Sequence, residues 1–313
     1  MIDFFDSCYK LVQGEKYYVL RKIKFYSVLR FLIRILANFV IPIYCTFTAN
    51  NKKYILTSQK HRDKRIIISL TSFPARIHRI WLVIESLLRQ SYKPDMIILW
   101  LSKEQFGSID SLPSNLLKLR ERGLQIILKD SDLRSHKKYF YTLSEYPNDI
   151  MITVDDDIFY PSFTIAELIK KSSAYAYPVV VARYFSTITR DTNGNLLPYI
   201  QWKQFNDESI NKIFFGSGGG TLFPPGALYR DICNQKLFQS LTPFADDIWL
   251  NAMCRLQGTE IVAAKHRSAS LLPVLNLKDV TLADNNINNN LNDKQIESVR
   301  EFYAKVGLDP FNK

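Results

Sequence analysis

Asp155, Asp156 and Asp157 stand in a row directly after the apolar run Ile150-Met151-Ile152-Thr153-Val154. The run is short, β-branched and flanked by polar residues, the signature of a buried strand. Three carboxylates at the exit of such a strand repel one another and cost stability unless positive charge sits among them. A divalent cation is the simplest counter-charge. Hard oxygen ligands suit Mn²⁺ or Mg²⁺, ions that usually also hold a substrate phosphate. Strand ends of this kind are also where open α/β sheets bind ligands. The spacing favours Asp157 as a direct metal ligand and Asp155 as a ligand to metal or ribose, with Asp156 contacting either.

Two further groups carry chemistry. Asp246-Asp247 opens an apolar helical stretch, where carboxylates are favoured by the helix dipole and by unpaired N–H groups. A carboxylate fixed there could serve as a general base. Gly216-Ser217-Gly218-Gly219-Gly220 follows Ile213-Phe214-Phe215. Small residues let a backbone approach a ligand, and successive N–H groups can cradle a phosphate. The segment is neither a P-loop nor a dinucleotide fingerprint. Arg76, Lys137 and Lys138 are candidate contacts to a nucleotide or diphosphate, and Trp202 and Trp249 could stack on a sugar. Trp249 falls on an apolar helical face with Ile248 and Met253, which suits core packing better.

These groups need a frame to position them. From residue 66, short apolar runs alternate with helical stripes: strands at 66–70, 96–101, 124–128 and 150–154, helices at 77–90, 112–122 and 137–145. That alternation predicts an α/β domain with a mostly parallel sheet flanked by helices. After Asp157 the pattern reads as a helix at 163–171 and a strand at 179–183. A turn follows at 191–195, then a helix at 243–256, a strand at 261–264 and a closing helix at 293–306, capped by Asn292 or Asp293.

The chain has 313 residues and a net charge of +11, and its charge is uneven. Residues 1–65 hold 13 Lys/Arg against 4 Asp/Glu, so most of the excess lies there. A nucleic-acid enzyme would spread basic residues over its working domain. Here they interleave with aromatic and aliphatic residues from Lys16 to Arg34, a pattern suited to an anionic membrane surface. The apolar stretch Ile35–Ala49 is short for a span and holds Pro42. Residues 1–60 therefore read either as a peripheral membrane anchor or as a helical appendage packed on the domain. Four cysteines without a C-x-x-C pair suit a reducing, cytoplasmic setting.

Four blocks, taken in order, resemble the GT-A-fold glycosyltransferases that build bacterial surface polysaccharides, of the family-2-like type. They are Ser69-Leu70-Thr71-Ser72-Phe73-Pro74-Ala75-Arg76, Ser91-Tyr92-Lys93-Pro94, Val154-Asp155-Asp156-Asp157 and Ala245-Asp246-Asp247-Ile248-Trp249-Leu250. The resemblance covers about residues 66–267, and residues 1–60 match nothing in it. It implies a GT-A domain at 61–270, with a nucleotide half at 61–160 and an acceptor half at 161–270, followed by a C-terminal loop and helix at 271–313. It implies transfer of a sugar from a nucleotide-diphosphate sugar, UDP-linked by preference, to a saccharide or lipid-linked saccharide, and the basic N-terminal segment would hold the enzyme at the inner face of the cell membrane. Thr71, Arg76, Lys138, Asp155, Asp156, Gly218 and Gly219 would contact the donor. Asp155, Asp157 and His266 would hold Mn²⁺ or Mg²⁺, and Asp247 would be the base beside Asp246. The principal rival is a haloacid-dehalogenase-type phosphotransferase with Asp155 as nucleophile and Asp157 as acid/base. It places its Asp-x-Asp at the start of the domain, whereas here three strand–helix units come first. A non-catalytic scaffold on a GT-A frame is a third reading.

Overall fold

The structure is a computed structural model; it describes residues 1–13, 22, 24–56, 62–204, 212–265, 271–275 and 290–312. The strands are Ile66–Thr71 (β1), Met96–Ser102 (β2), Leu124–Lys129 (β3), Ile150–Val154 (β4), Ile158–Phe159 (β5) and Val179–Ala182 (β6). They continue with Phe185–Thr187 (β7), Lys203–Gln204 (β8), Ile213–Phe215 (β9), Gly219–Phe223 (β10), Glu260–Ala263 (β11) and Leu272–Pro273 (β12). Seven of them form one sheet in the order β11-β6-β10-β4-β1-β2-β3. The architecture is a mixed, mostly parallel sheet flanked by helices.

β10 alone runs against its neighbours, β4 and β6. Its first residues therefore lie at the sheet edge where β1, β4 and β6 end. That reversal carries the glycine-rich segment to the aspartates.

Side chains alternate across each strand, so both faces are apolar where helices cover both. Ile66, Ile68 and Leu70 of β1 face one core, shared with Ile80–Leu88 (α3 below). Ile67 faces the other way with Ile98 and Trp100. The main helices are Ile2–Gln13 (α1), Phe25–Phe47 (α2), Ile80–Leu88 (α3), Lys137–Glu145 (α4), Thr164–Ser172 (α5), Asp246–Gln257 (α6) and Leu291–Ala304 (α7). Residues of α1, α2, α3 and α5 join the first core; residues of α4, α6 and α7 build the second. Trp249 is fully buried there, as its apolar face predicts.

Several expectations are corrected. The stretch with Pro42 is not cut short: α2 runs 23 residues straight through it, and by length and apolar content it could cross a membrane. The expected helix at 112–122 is a short α-turn, Ser114–Leu117, tightening into a 3₁₀ segment, Lys118–Arg122. Gly123 in left-handed conformation ends it, and the Arg122 side chain turns inward to Glu85. The glycine segment is only partly a loop, since Gly219 and Gly220 already belong to β10. α7 starts after Asn290, and Asp293 accepts a hydrogen bond from the Tyr199 N–H at 2.7 Å instead of capping the helix.

The N-terminal helices pack on the domain. Ala37, Ile41 and Cys45 of α2 are fully buried. Asn38 Nδ2 donates to the Pro273 carbonyl at 2.9 Å, and its Oδ1 accepts from the Leu275 N–H at 2.8 Å. Asp3 of α1 accepts from the backbone N–H and the hydroxyl of Ser162, both at 2.6 Å.

Beneath α2, Glu85 of α3 is buried between two guanidinium groups, accepting from Arg89 Nε at 3.0 Å and Arg122 Nη2 at 3.1 Å. Removing one side of a buried ion network leaves the other charges uncompensated. Glu85→Ala is therefore expected to destabilise the fold by about 3 kcal/mol, read as a lowered midpoint in urea unfolding. A midpoint within error of the parent's would show that the network carries no such weight.

Candidate functional site

The site is built on the backbone where β4 ends. The Asp155 N–H donates to the Tyr160 hydroxyl at 2.8 Å and to the Gly218 carbonyl at 3.2 Å. The Tyr160 hydroxyl in turn donates to the Gly218 carbonyl. Two residues earlier in β4, Thr153 Oγ1 donates to the Ser217 carbonyl at 2.7 Å. The strand exit and the glycine segment are thus laced together. Gly218 leaves no room for a side chain: a Cβ there would lie 1.6 Å from Asp155 Oδ2. At Gly219 it would lie 2.2 Å from the Tyr184 Cβ. The glycines are required by this close approach to the carboxylate and to Tyr184.

Two cations of the chain itself meet the acids. Arg76, in the turn after β1, places Nη1 2.8 Å from Asp156 Oδ1 and 2.8 Å from Asp157 Oδ2. Ser72 Oγ donates to Asp156 Oδ2 at 2.6 Å. Lys138, in the first turn of α4, places Nζ 2.8 Å from Asp155 Oδ1 and 3.0 Å from Asp246 Oδ2. Asp246 and Asp247 converge on one residue: Ser217 Oγ donates to Asp246 Oδ2 at 2.8 Å, and the Ser217 N–H donates to Asp247 Oδ1 at 2.7 Å. Two acidic blocks about ninety residues apart in the sequence become a single cluster.

The counter-charge expected from a metal alone is thus met in part by Lys138 and Arg76. Physically, a side chain tethered to the same fold is always present at the acids, whereas an ion must be recruited. Asp155 and Asp157 nevertheless remain open, with 43% and 32% of their side-chain surface exposed. Their exposed carboxylate oxygens at the strand exit are hard donors of the kind that suits a divalent ion. Among the described residues, no group of three potential ligands is gathered. His266 lies outside the described residues.

Charge and burial set the protonation states. Burial raises the Asp247 carboxyl, and repulsion from Asp246 and Asp155 adds to this against Lys138, leaving it at about 7. Burial also works to raise Asp246, but Lys138, His136 and the Ser217 hydroxyl outweigh it and hold the group at about 2. Burial pushes Asp156 up, opposed by Arg76 and Ser72. Lys138 is buried, which disfavours its charge, yet Asp155, Asp246 and Asp247 keep it firmly protonated. His136 is driven down to about 4 by burial, so it is neutral. Its Nε2–H donates to the Thr242 carbonyl at 2.7 Å, and its Nδ1 accepts from the Tyr139 hydroxyl at 2.8 Å.

Other candidates fall into place around this cluster. Thr71 ends β1 at the same edge, its hydroxyl donating to the Trp100 carbonyl at 2.8 Å. Lys137 is buried in an ion pair with Asp132, away from the acids. Trp202 is buried and packs on Tyr199, with centroids 5.1 Å apart. Tyr184 and Tyr199 have hydroxyls pushed up by burial and then by Asp247, which marks them as its neighbours. Sequence reasoning did not single out Ser72, Ser217, Tyr160 or His136. Ser217, the lone hydroxyl among glycines, was the one with a readable signal. Tyr160 and His136 act through pairings that only the fold creates.

No family profile matches the chain, and no curated protein does. Among solved structures, the mannosyltransferase PcManGT from Pyrobaculum calidifontis, in complex with GDP-Man and Mn²⁺, aligns over 90% of this chain and 77% of its own at 12% identity and TM-score 0.46. A 4-diphosphocytidyl-2C-methyl-D-erythritol synthase aligns over 73% of this chain and 98% of its own at 12% identity and TM-score 0.41. S. aureus TarS 1-349 in complex with UDP-GlcNAc aligns over 64% of this chain and 55% of its own at 13% identity and TM-score 0.40. Each is a loose likeness of fold.

The raised Asp247 group has a consequence for stability. In the unfolded chain it ionises near its ordinary value of 3.8, whereas in the fold it holds its proton up to about 7. Between those values the folded state binds the extra proton, so this group makes stability fall as pH rises. His136, depressed from 6.5 to about 4, works the other way in much of the same window, so the informative quantity is a difference. Relative to the parent, Asp247→Asn is expected to grow more stable from pH 4 to 7, measured by urea unfolding across that range. A pH-independent difference would contradict the raised carboxyl.

Proposed function

We propose that this protein is a metal-dependent glycosyltransferase. It moves a sugar from a nucleotide-diphosphate sugar, preferably UDP-linked, to a saccharide or lipid-linked saccharide in cell-surface polysaccharide synthesis, at the inner face of the cell membrane. One observation carries the reading: the strand-end aspartates and the helix-opening pair Asp246-Asp247 share a cluster joined by Lys138 and Ser217. Donor-binding and proton-accepting groups are thereby side by side.

In this reading Asp155 and Asp157 hold Mn²⁺ or Mg²⁺, which when bound neutralises charge on the departing diphosphate. Thr71, Arg76, Asp156 and the close-packed Gly218–Gly219 backbone surround the nucleotide end of the donor. Asp247, in its carboxylate form, takes the proton from the acceptor hydroxyl. The acceptor oxygen bonds to the anomeric carbon as the bond from that carbon to the phosphate oxygen breaks, and the electron pair leaves with the nucleoside diphosphate. Asp246 stays ionised and fixes Lys138, which keeps the cluster from repelling the donor. Ser217 holds Asp247 in place through its backbone N–H.

Calorimetric titration with UDP and Mn²⁺ tests the donor half. Binding is expected in the parent and is expected to vanish in Asp155→Asn/Asp157→Asn; unchanged binding would refute the site. For the acceptor half, Asp247→Asn should lower sugar transfer or slow donor hydrolysis by about 10²–10⁴-fold while UDP still binds. The parent's rate should climb as pH rises through about 7, since the base must first lose its proton. A flat profile would remove Asp247 from that role. Phosphate release from a phosphate ester with Mg²⁺ and no sugar nucleotide would instead favour the phosphotransferase.

A further inference from the structure

We propose that α2 lies in the plane of an anionic bilayer, with one apolar face in the lipid and the opposite face fixed to the domain. The inference deepens the peripheral-membrane part of the reading above and does not depend on its nucleotide part. Val28, Leu32, Ile35, Phe39, Ile43 and Phe47 recur at helical spacing, and each is exposed, between 45% and 86%. Phe4 and Leu11 of α1 are exposed as well, at 61% and 78%. Such a row of large apolar side chains is not left to water by a stable soluble helix.

The other side of α2 rules out a helix wrapped in lipid all round. Ala37, Ile41 and Cys45 are fully buried against the domain. Asn38 is committed to the backbone of Pro273 and Leu275, and Arg30 and Arg34 share that side. A spanning helix would have to tear these contacts away and bring both arginines into hydrocarbon. An interfacial helix keeps them, with one face toward lipid and one toward the protein. Charge selects the occupant: exposed Lys22 and Lys24 stand before the helix and exposed Lys52 and Lys53 after it, so cations bracket the apolar face at both ends. An anionic headgroup layer complements that arrangement, whereas a second copy of this face would bring like charges together.

The position also bears on the site. The Leu275 and Pro273 backbone that Asn38 grips belongs to the segment whose Val274 N–H donates to the Asp157 carbonyl at 2.7 Å. β12 of that segment pairs with β5, just beyond the aspartates. The lipid-facing side is thus separated from the Asp157 backbone by one extended segment and one helix thickness, about 10 Å. A lipid-linked acceptor would meet the site from that side.

The full chain, synthesised with preformed vesicles, can be tested by flotation. Vesicles of phosphatidylcholine with phosphatidylglycerol should carry at least ~tenfold more protein than phosphatidylcholine alone, and added salt should reduce the difference. Leu32→Glu/Phe39→Glu should stay unfloated while keeping the parent's circular dichroism and thermal transition, since both positions are exposed. Lys22→Glu/Lys24→Glu, which leaves the apolar face intact, should lose the preference for anionic vesicles. Three results would overturn the proposal: a parent that floats with neither vesicle, a Leu32→Glu/Phe39→Glu variant that floats like the parent, or charge-independent, salt-resistant flotation as for a spanning helix. A vesicle-independent dimer that Leu32→Glu/Phe39→Glu converts to monomer would also overturn it, by assigning the face to a second copy. Whether the chain binds UDP leaves every one of these outcomes readable.

Discussion

The buried ammonium of Lys138 is the interaction on which the candidate site rests. It lies between Asp155 at the end of β4 and Asp246 at the start of α6, 2.8 and 3.0 Å away. Without it, the buried Asp246 carboxylate would lose its cation and would sit near the half-exposed Asp155 with no positive charge between them. Burial of a lone lysine is unfavourable, and so is burial of a lone aspartate. Together, with Ser217 supplying two further donors, they form a satisfied network. Arg76 does the same service for Asp156 and Asp157 from the β1 side.

Fixed cations divide the acids by proton affinity. Asp246 is held ionised at about 2, while its neighbour Asp247 is raised to about 7 by burial and by Asp246 itself. Adjacent carboxylates with separated proton affinities are what acid–base chemistry near neutral pH needs. The separation comes from geometry: Lys138 lies at ion-pair distance from Asp246, whereas among the described residues the close donor to the Asp247 carboxylate is the Ser217 backbone N–H. The antiparallel course of β10 makes this possible, because it alone returns the Gly216–Gly219 segment to the edge where the parallel strands stop.

Much of the sheet was legible in the sequence. The strands β1, β2 and β4 are nearly continuous apolar runs, the pattern that buried parallel strands need, and the edge strand β3 departs from it at the exposed Gln125. The acids were legible too, because carboxylates next to such runs are rare. What was not legible was the identity of their partners. Lys138 precedes Asp155 by 17 residues and Asp246 by 108, and nothing in its local sequence marks it as a bridge. The triplet by itself calls for an outside ion, because sequence spacing cannot show that Arg76 folds back from the turn after β1. The extent of α2 is hidden for a local reason: Pro42 suggests an interruption, yet the helix continues on both sides, held by Asn38 and by the packing of Ile41 and Cys45. The 112–122 segment failed where tertiary demand won, with Arg122 drawn in toward Glu85.

Lys138 couples the two acidic blocks into one preformed unit. A double-mutant cycle on unfolding free energy measures that coupling directly, using Lys138→Met, Asp246→Asn and the pair. Lys138→Met alone should cost about 3–5 kcal/mol, because it strands the buried Asp246 carboxylate. Adding Asp246→Asn should recover part of that loss, giving an interaction energy of about 1–3 kcal/mol. Strictly additive effects would mean that the two residues do not sense each other, and that the cluster is not the unit described.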